Sequence, residues 1–203
     1  GAERWDPAEG VGISPRELAT RAEQALQAGA RSIMMLGGEP TIHLPTALEI
    51  VAVLPDSARL AWKTNGHGSA RARALLAGMF DVWVVDFKFG NDQCAQRLAG
   101  GSNEPPTPAL AYVETAQENL LWAYENTDLI TRHLLMPGHV QCCWRPVAAW
   151  LAGNMPDVKV NLRAGFWPAW RAARHPELRG TVPASEHRIA REIAADYHLN
   201  LIQ

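Results

Sequence analysis

The sequence predicts an α/β fold built on one parallel sheet. Two observations predict it. The short apolar runs, such as Ser32-Ile33-Met34-Met35-Leu36 and Val82 to Phe87, are continuous rather than alternating, the pattern of strands covered on both faces. Between them lie stretches of helical length, bounded by capping residues and glycines. A doubly wound sheet and a barrel both fit this rhythm. Either one would place its binding site at the carboxyl ends of the strands.

Each element follows from local signals. Ser14 is a helix N-cap, with Pro15 at the first helical position and Glu17 at the third, and Gly29 stops that helix after Ala28. The strand around Ile33 comes next. Leu44 to Leu54 is helical, with Pro45 near its start, and Leu60 to Lys63 is a strand. Ala70 to Met79 is helical and Val82 to Phe87 a strand. Asn91 to Leu98 and Tyr112 to Tyr124 are helices, separated by a loop rich in Gly and Pro from Gly100 to Pro108. Leu129 to Leu135 is a strand, Arg145 to Gly153 a helix and Val158 to Leu162 a strand. Ser185, read as a cap, opens a helix to Tyr197, and Leu199 to Ile202 is a last short strand. The expectation is about six parallel strands with right-handed helical crossovers.

Composition narrows the function classes. The 203 residues, 47% hydrophobic, suffice for a single domain over residues 1–203 with a sizeable core. A net charge of -2 argues against a nucleic-acid binder that works by neutralising phosphates. No apolar run approaches the ~18 residues of a membrane span. Three cysteines, Cys94, Cys142 and Cys143, make no disulfide framework. They suggest a reducing compartment, hence the cytoplasm. Cys142 and Cys143 are adjacent and Cys94 is distant in sequence, so all three read as small buried residues or free thiols rather than metal ligands.

Polar residues cluster where the strands end. Gly37-Gly38-Glu39-Pro40 follows the first strand; two glycines let a ligand approach the backbone, and Glu39 could accept from an amine. Lys63-Thr64-Asn65-Gly66 ends the second strand. Asp86 and Lys88 end the third, two residues apart and so on one face. Arg132 and His133 end the fourth. Each motif alone also fits an ordinary turn, ion pair or core histidine. Together they indicate a small polar ligand at one rim.

These residues carry a resemblance. Gly37-Gly38-Glu39-Pro40, Thr64-Asn65-Gly66, Asp86-Phe87-Lys88, the stretch Arg132 to His139 and Val160-Asn161-Leu162 occur in the order found in radical S-adenosylmethionine enzymes. The chain resembles the branch around pyruvate formate-lyase activating enzyme, from about Trp5 to Ile202, and His175-Pro176-Glu177-Leu178 fits its relatives too. The resemblance implies a partial (β/α) barrel with S-adenosylmethionine across the strand ends. It implies that Gly37, Gly38, Glu39 and Pro40 hold the methionyl amine. Asp86 and Lys88 would flank the methionyl carboxylate and ribose region, His133 would contact the nucleoside, and Lys63, Thr64 and Asn65 are expected among the cofactor-binding residues. It further implies a [4Fe-4S] cluster that cleaves the sulfonium reductively, giving a 5′-deoxyadenosyl radical for hydrogen abstraction from a glycyl-radical protein or a small molecule.

Two departures qualify that expectation. Lys63 stands where the activating enzymes carry an aspartate that helps hold a monovalent cation, so its ammonium could replace the cation. The closely spaced cysteine trio that ligates the family's cluster is absent from this chain. Trp5-Asp6-Pro7 and the helix from Ser14 fill the places that follow that trio in the family, so the first strand and cluster loop are expected to lie upstream of Gly1 or not to exist. An N-terminally truncated radical enzyme is one reading. A degenerate S-adenosylmethionine- or nucleoside-binding protein, or a partner subunit without its own cluster, is the alternative. A barrel aldolase or hydrolase using Lys88 and His133 is a remoter one. A missing first strand would also leave a sheet edge open to association.

Overall fold

The computed structural model describes residues 12–100 and 111–202. Trp5-Asp6-Pro7 and nearly all of the Gly100 to Pro108 loop lie outside them. Six strands form one sheet in the order β1-β2-β3-β4-β5-β6, every neighbouring pair parallel. They are β1 (Ile33–Met35), β2 (Leu60–Thr64), β3 (Val82–Asp86), β4 (Asp128–Leu134), β5 (Lys159–Arg163) and β6 (Asn200–Leu201). The helices are α1 (Pro15–Gln27), α2 (Leu44–Val51), α3 (Ala70–Leu76), α4 (Asp92–Ala99), α5 (Tyr112–Asn126), α6 (Arg145–Asn154) and α7 (Ala184–Asp196). A strictly consecutive strand order has no reversal point, which separates a partial barrel from a doubly wound sheet. The fold is therefore the α/β partial barrel of six parallel strands.

Caps set the element boundaries. The Ser14 hydroxyl accepts from the Glu17 amide at 3.1 Å, and Asn91 caps α4 through the Cys94 amide at 2.8 Å. Ser185 does not cap α7. Pro183 holds the N-cap position and the helix starts at Ala184, which puts Ser185 inside the first turn.

One face of the sheet carries the core. Trp62, Trp83, Val85, Leu129 and Val160 are buried against Leu120, Val147, Leu151 and Ile193 of the helices. Trp62 and Trp83 are register partners with ring centroids 6.2 Å apart, and Trp83 meets Trp122 of α5 at 5.0 Å. The alternate residues of β3 and β4 lie on the other, concave face and are less completely buried. So the continuous apolar runs reflect helices on one face and a curved hollow on the other. Among the described residues β1 pairs only with β2, and Met34, Leu36 and Ile42 nearby are exposed. No described helix is long and apolar enough to cross a membrane.

Candidate functional site at the strand ends

Alternation decides which side chains reach the hollow. Asp86 and Arg132 are register partners on β3 and β4, and Lys63 pairs with Val84, two residues before Asp86. All three therefore project from the concave face. Lys63 Nζ lies 2.7 Å from Asp86 Oδ1, Arg132 Nε 2.8 Å from the same oxygen, and Lys88 Nζ 3.2 Å from Oδ2. One buried carboxylate thus serves three cations. Burial pushes the Asp86 carboxyl up, but Lys88, Lys63 and Arg132 outweigh it and leave it below its ordinary value. Lys63 is held below the usual lysine range, because burial and the repulsion of Arg132 and Lys88 exceed the attraction of Asp86. Lys88 and Arg132 each keep 37% of their side-chain surface exposed. The rim therefore presents surplus positive charge to any ligand above it.

Glu39 supplies the opposite sign one strand away. Its carboxylate accepts from Thr41 N and Oγ1 at 3.2 and 2.6 Å, from Thr64 Oγ1 at 2.9 Å and from Asn65 N at 2.7 Å. Glu39 thereby ties the end of β1 to the end of β2. Its Oε2 takes only the Asn65 bond and keeps acceptor capacity for a further donor. Gly37, at φ +57°, and Gly38 lie exposed just before it, and Pro40 is buried behind it. Gly66, at φ +78°, turns the chain after Asn65 so closely that a Cβ there would meet the Asp86 carbonyl oxygen at 3.0 Å.

A cleft of about 240 Å³ opens beside this rim, lined by Asn65, His67, Lys88, Phe89, Ala95, Ala99, Gly100 and Tyr112. Tyr112 stacks on His67 and meets Phe89 edge-on. Its hydroxyl accepts the Lys88 amide at 2.9 Å, and burial pushes its pKa up to about 12. The cleft is mostly apolar, with Lys88 at its polar edge.

His133 is not part of this surface. Counted from Arg132 it falls on the helix-facing side, and it is 1% exposed. Its Nδ1 lies 2.6 Å from the Phe87 carbonyl oxygen, so the proton sits on Nδ1 and the ring is neutral. Burial pushes its pKa down to about 4. It packs against Trp144 at 4.9 Å. His133, expected to contact a nucleoside, stands in this structure behind the rim, on the helix-facing side. The pairing of Lys88 with His133 that an aldolase or hydrolase would need fails for the same reason.

Elsewhere the structure assembles what the spacing did not announce. Cys94, His139, Cys142 and Cys143 bring their ligand atoms within 4.8 Å of one another, an arrangement that could hold a metal ion. Burial raises the pKa of both the Cys142 and Cys143 thiols, and burial followed by Arg97 lowers that of His139. One sequence signal was available: His139, Cys142 and Cys143 stand at helical i, i+3 and i+4 positions. Trp167 is 75% exposed and so does not pack in the core.

No family model matches the chain. The chain is similar to an uncharacterised protein of Methanocaldococcus jannaschii, at 30% identity over 173 residues. The match covers 85% of this chain and 48% of that protein, so the chain spans about half the length of this relative. Its fold is similar to that of a domain of pyruvate-formate lyase-activating enzyme from Bacteroides vulgatus, with a TM-score of 0.63 and 17% identity. That likeness covers 85% of this chain and 98% of the domain. At that identity it speaks for the fold.

Proposed function

We propose that the strand-end rim binds S-adenosylmethionine, within an activating-enzyme-like protein of the radical S-adenosylmethionine class. The observation that carries the reading is the placing of opposite charges along one rim, Glu39 after β1 and the cations at the ends of β2, β3 and β4. An amino-acid head group has an ammonium and a carboxylate. Glu39 offers the free acceptor for the first, beside exposed Gly37 and Gly38. Lys88 and Arg132, with Lys63 beneath them, offer the surplus positive charge for the second. The cleft between Asn65, Phe89 and Tyr112 gives the nucleoside an apolar, aromatic wall.

The class chemistry also needs a [4Fe-4S] cluster, and the cysteines present do not fit one. Their three sulfurs converge with a histidine on a single point, whereas a cubane spreads its thiolates over separate irons. No cluster-dependent step is assigned to this chain. Radical chemistry requires cluster ligands from outside these 203 residues, and the hydrogen donor we propose is a glycyl-radical protein. The convergence of the cysteines also favours a second reading, in which the chain binds S-adenosylmethionine or a related nucleoside without radical chemistry of its own.

Calorimetric titration of the chain with S-adenosylmethionine tests the binding. Saturable binding is expected, weakened about tenfold or more in Lys88→Met and Arg132→Met. Absence of saturable binding overturns the reading. Anaerobic iron–sulfide treatment tests the assignment of the cluster ligands: essentially no iron is expected on the chain, and a reducible cluster of about four irons would show that these cysteines hold one after all.

A further inference from the structure

We propose that Cys94, His139, Cys142 and Cys143 bind one tetrahedral divalent metal ion of zinc type, which pins the start of α4 to the turn before α6. The site stands apart from the rim and does not depend on what the rim binds.

The distances carry the argument. Cys94 Sγ and Cys142 Sγ are 3.9 Å apart, as are Cys142 Sγ and Cys143 Sγ. His139 Nδ1 lies 3.7 Å from Cys94 Sγ, 3.3 Å from Cys142 Sγ and 3.6 Å from Cys143 Sγ. A zinc ion holds thiolate sulfur at ~2.3 Å and imidazole nitrogen at ~2.0–2.1 Å, so tetrahedral angles require sulfurs about 3.8 Å apart and sulfur–nitrogen separations of about 3.5 Å. The cage is already the size of one ion. A disulfide needs its sulfurs at ~2.05 Å, far closer than any pair here stands.

The backbone is arranged to bring these groups together. A π-helical turn over Val140–Trp144, with the Trp144 amide reaching back to the His139 carbonyl at 3.3 Å, puts His139, Cys142 and Cys143 on one side. Asn91 joins the two segments. Its Oδ1 caps α4 at the Cys94 amide and its Nδ2 donates to the Cys142 carbonyl at 2.7 Å. Gly90 passes so close that a Cβ there would lie 2.4 Å from the Cys143 carbonyl oxygen, so only glycine lets the β3 exit approach.

The surroundings suit a structural ion. A metal on Nδ1 would put the hydrogen on His139 Nε2, whose carboxylate neighbour Glu177 Oε1 lies 3.9 Å away. Arg97 pairs with that carboxylate and its Nη2, which can only donate, stands 3.4 Å from Nε2, so metal binding must shift Arg97 aside and let Nε2 turn to Glu177. Cys143 and His139 are buried and Cys142 is exposed, which leaves a way in. Four protein ligands close the coordination shell, so the ion offers no open position for a substrate. Each thiol releases its proton to solvent on binding. The ion would fix α4, whose Ala95 and Ala99 form a wall of the cleft.

The test is cobalt binding by the reduced, chelator-treated chain under anaerobic conditions. The expected result is the intense visible absorption of tetrahedral cobalt with sulfur-to-metal charge transfer, displaced by about one equivalent of zinc. Cys142→Ser, at an exposed position, and His139→Asn should keep the far-ultraviolet circular dichroism of the parent and weaken binding more than ~100-fold. A weak octahedral spectrum, unchanged affinity in Cys142→Ser, or a Cys94–Cys142 disulfide that forms in place of metal binding would each overturn the proposal. So would iron–sulfide treatment that loads a multi-iron cluster on these same cysteines.

Discussion

Lys63 and Asp86, on neighbouring strands, form a buried ion pair at 2.7 Å at the floor of the hollow. The pair has a direct consequence for ions in solution. Because the ammonium already sits against the carboxylate, no monovalent cation is needed there. Binding of S-adenosylmethionine is expected to be equally tight in sodium, potassium and a bulky organic-cation salt at matched ionic strength. A clear potassium requirement would sink that role for Lys63.

Removing the acid should be costly. Asp86→Asn leaves Lys63 buried without its counter-charge, and Lys88 and Arg132 without theirs. The expected loss is about 3–5 kcal/mol in urea unfolding. The lowered Asp86 pKa adds a pH signature. Its contribution is fully present above the ordinary carboxyl value and falls away as pH drops through the lowered one. The Asp86→Asn variant should lack that acid limb.

His133 titrates in a separate window. The unfolded chain binds its proton below about 6.5, whereas the folded ring resists protonation down to about 4. Folding stability should therefore fall as pH drops from 6.5 to 4 and level off beneath it, by about 3 kcal/mol from this group. His133→Gln can still donate to the Phe87 carbonyl but cannot titrate. Its stability profile should be flatter across that window, and an unchanged slope would rule His133 out as the source.

Glu39 has two duties that substitution can separate. Four donors converge on its carboxylate. Because the site is only half-buried, water can replace part of that network, and Glu39→Gln is expected to cost about 1–3 kcal/mol. If the free acceptor position meets an ammonium, the variant should lose affinity for S-adenosylmethionine while its affinity for 5′-methylthioadenosine, which lacks the amino-acid head, stays near that of the parent. Equal losses for both would show that Glu39 only holds the loop.

Gly66 tests the close approach of two strand ends. An alanine there must adopt φ +78° and meet the Asp86 carbonyl oxygen. Gly66→Ala should destabilise the chain by about 1–3 kcal/mol. It should also displace Asp86 enough to weaken binding beyond what the stability loss explains, as calorimetry on the folded variant can measure.

Much of this molecule is legible along the chain because its signals are local. Ser14 and Asn91 announce helix starts, and the run from Val82 to Asp86 reads as a strand without reference to anything distant. The rim residues Lys63, Asp86 and Lys88 follow from strand ends and two-residue alternation. The same alternation, counted from Arg132, turns His133 away from the hollow, where the resemblance alone implies a contact with ligand. The Cys94–His139 encounter spans 45 positions. It depends on Gly90 and Asn91 meeting a π-helical turn, a tertiary event that no local pattern encodes. Ser185 shows the reverse limit: a good capping residue goes unused because Pro183 already directs the chain into α7.

The alternation of β4 divides the strand into two independent alphabets. Leu129, Thr131 and His133 answer to the helices; Ile130, Arg132 and Leu134 answer to the hollow. Evolution can rewrite the second set, one letter at a time, to suit a new ligand while the first keeps the protein folded. Inserting a single residue before Leu129 would exchange the two sets at once, burying Arg132 among the helices and lifting His133 into the hollow. Ligand preference in this protein is thus open to gradual change by substitution and closed to change by slippage.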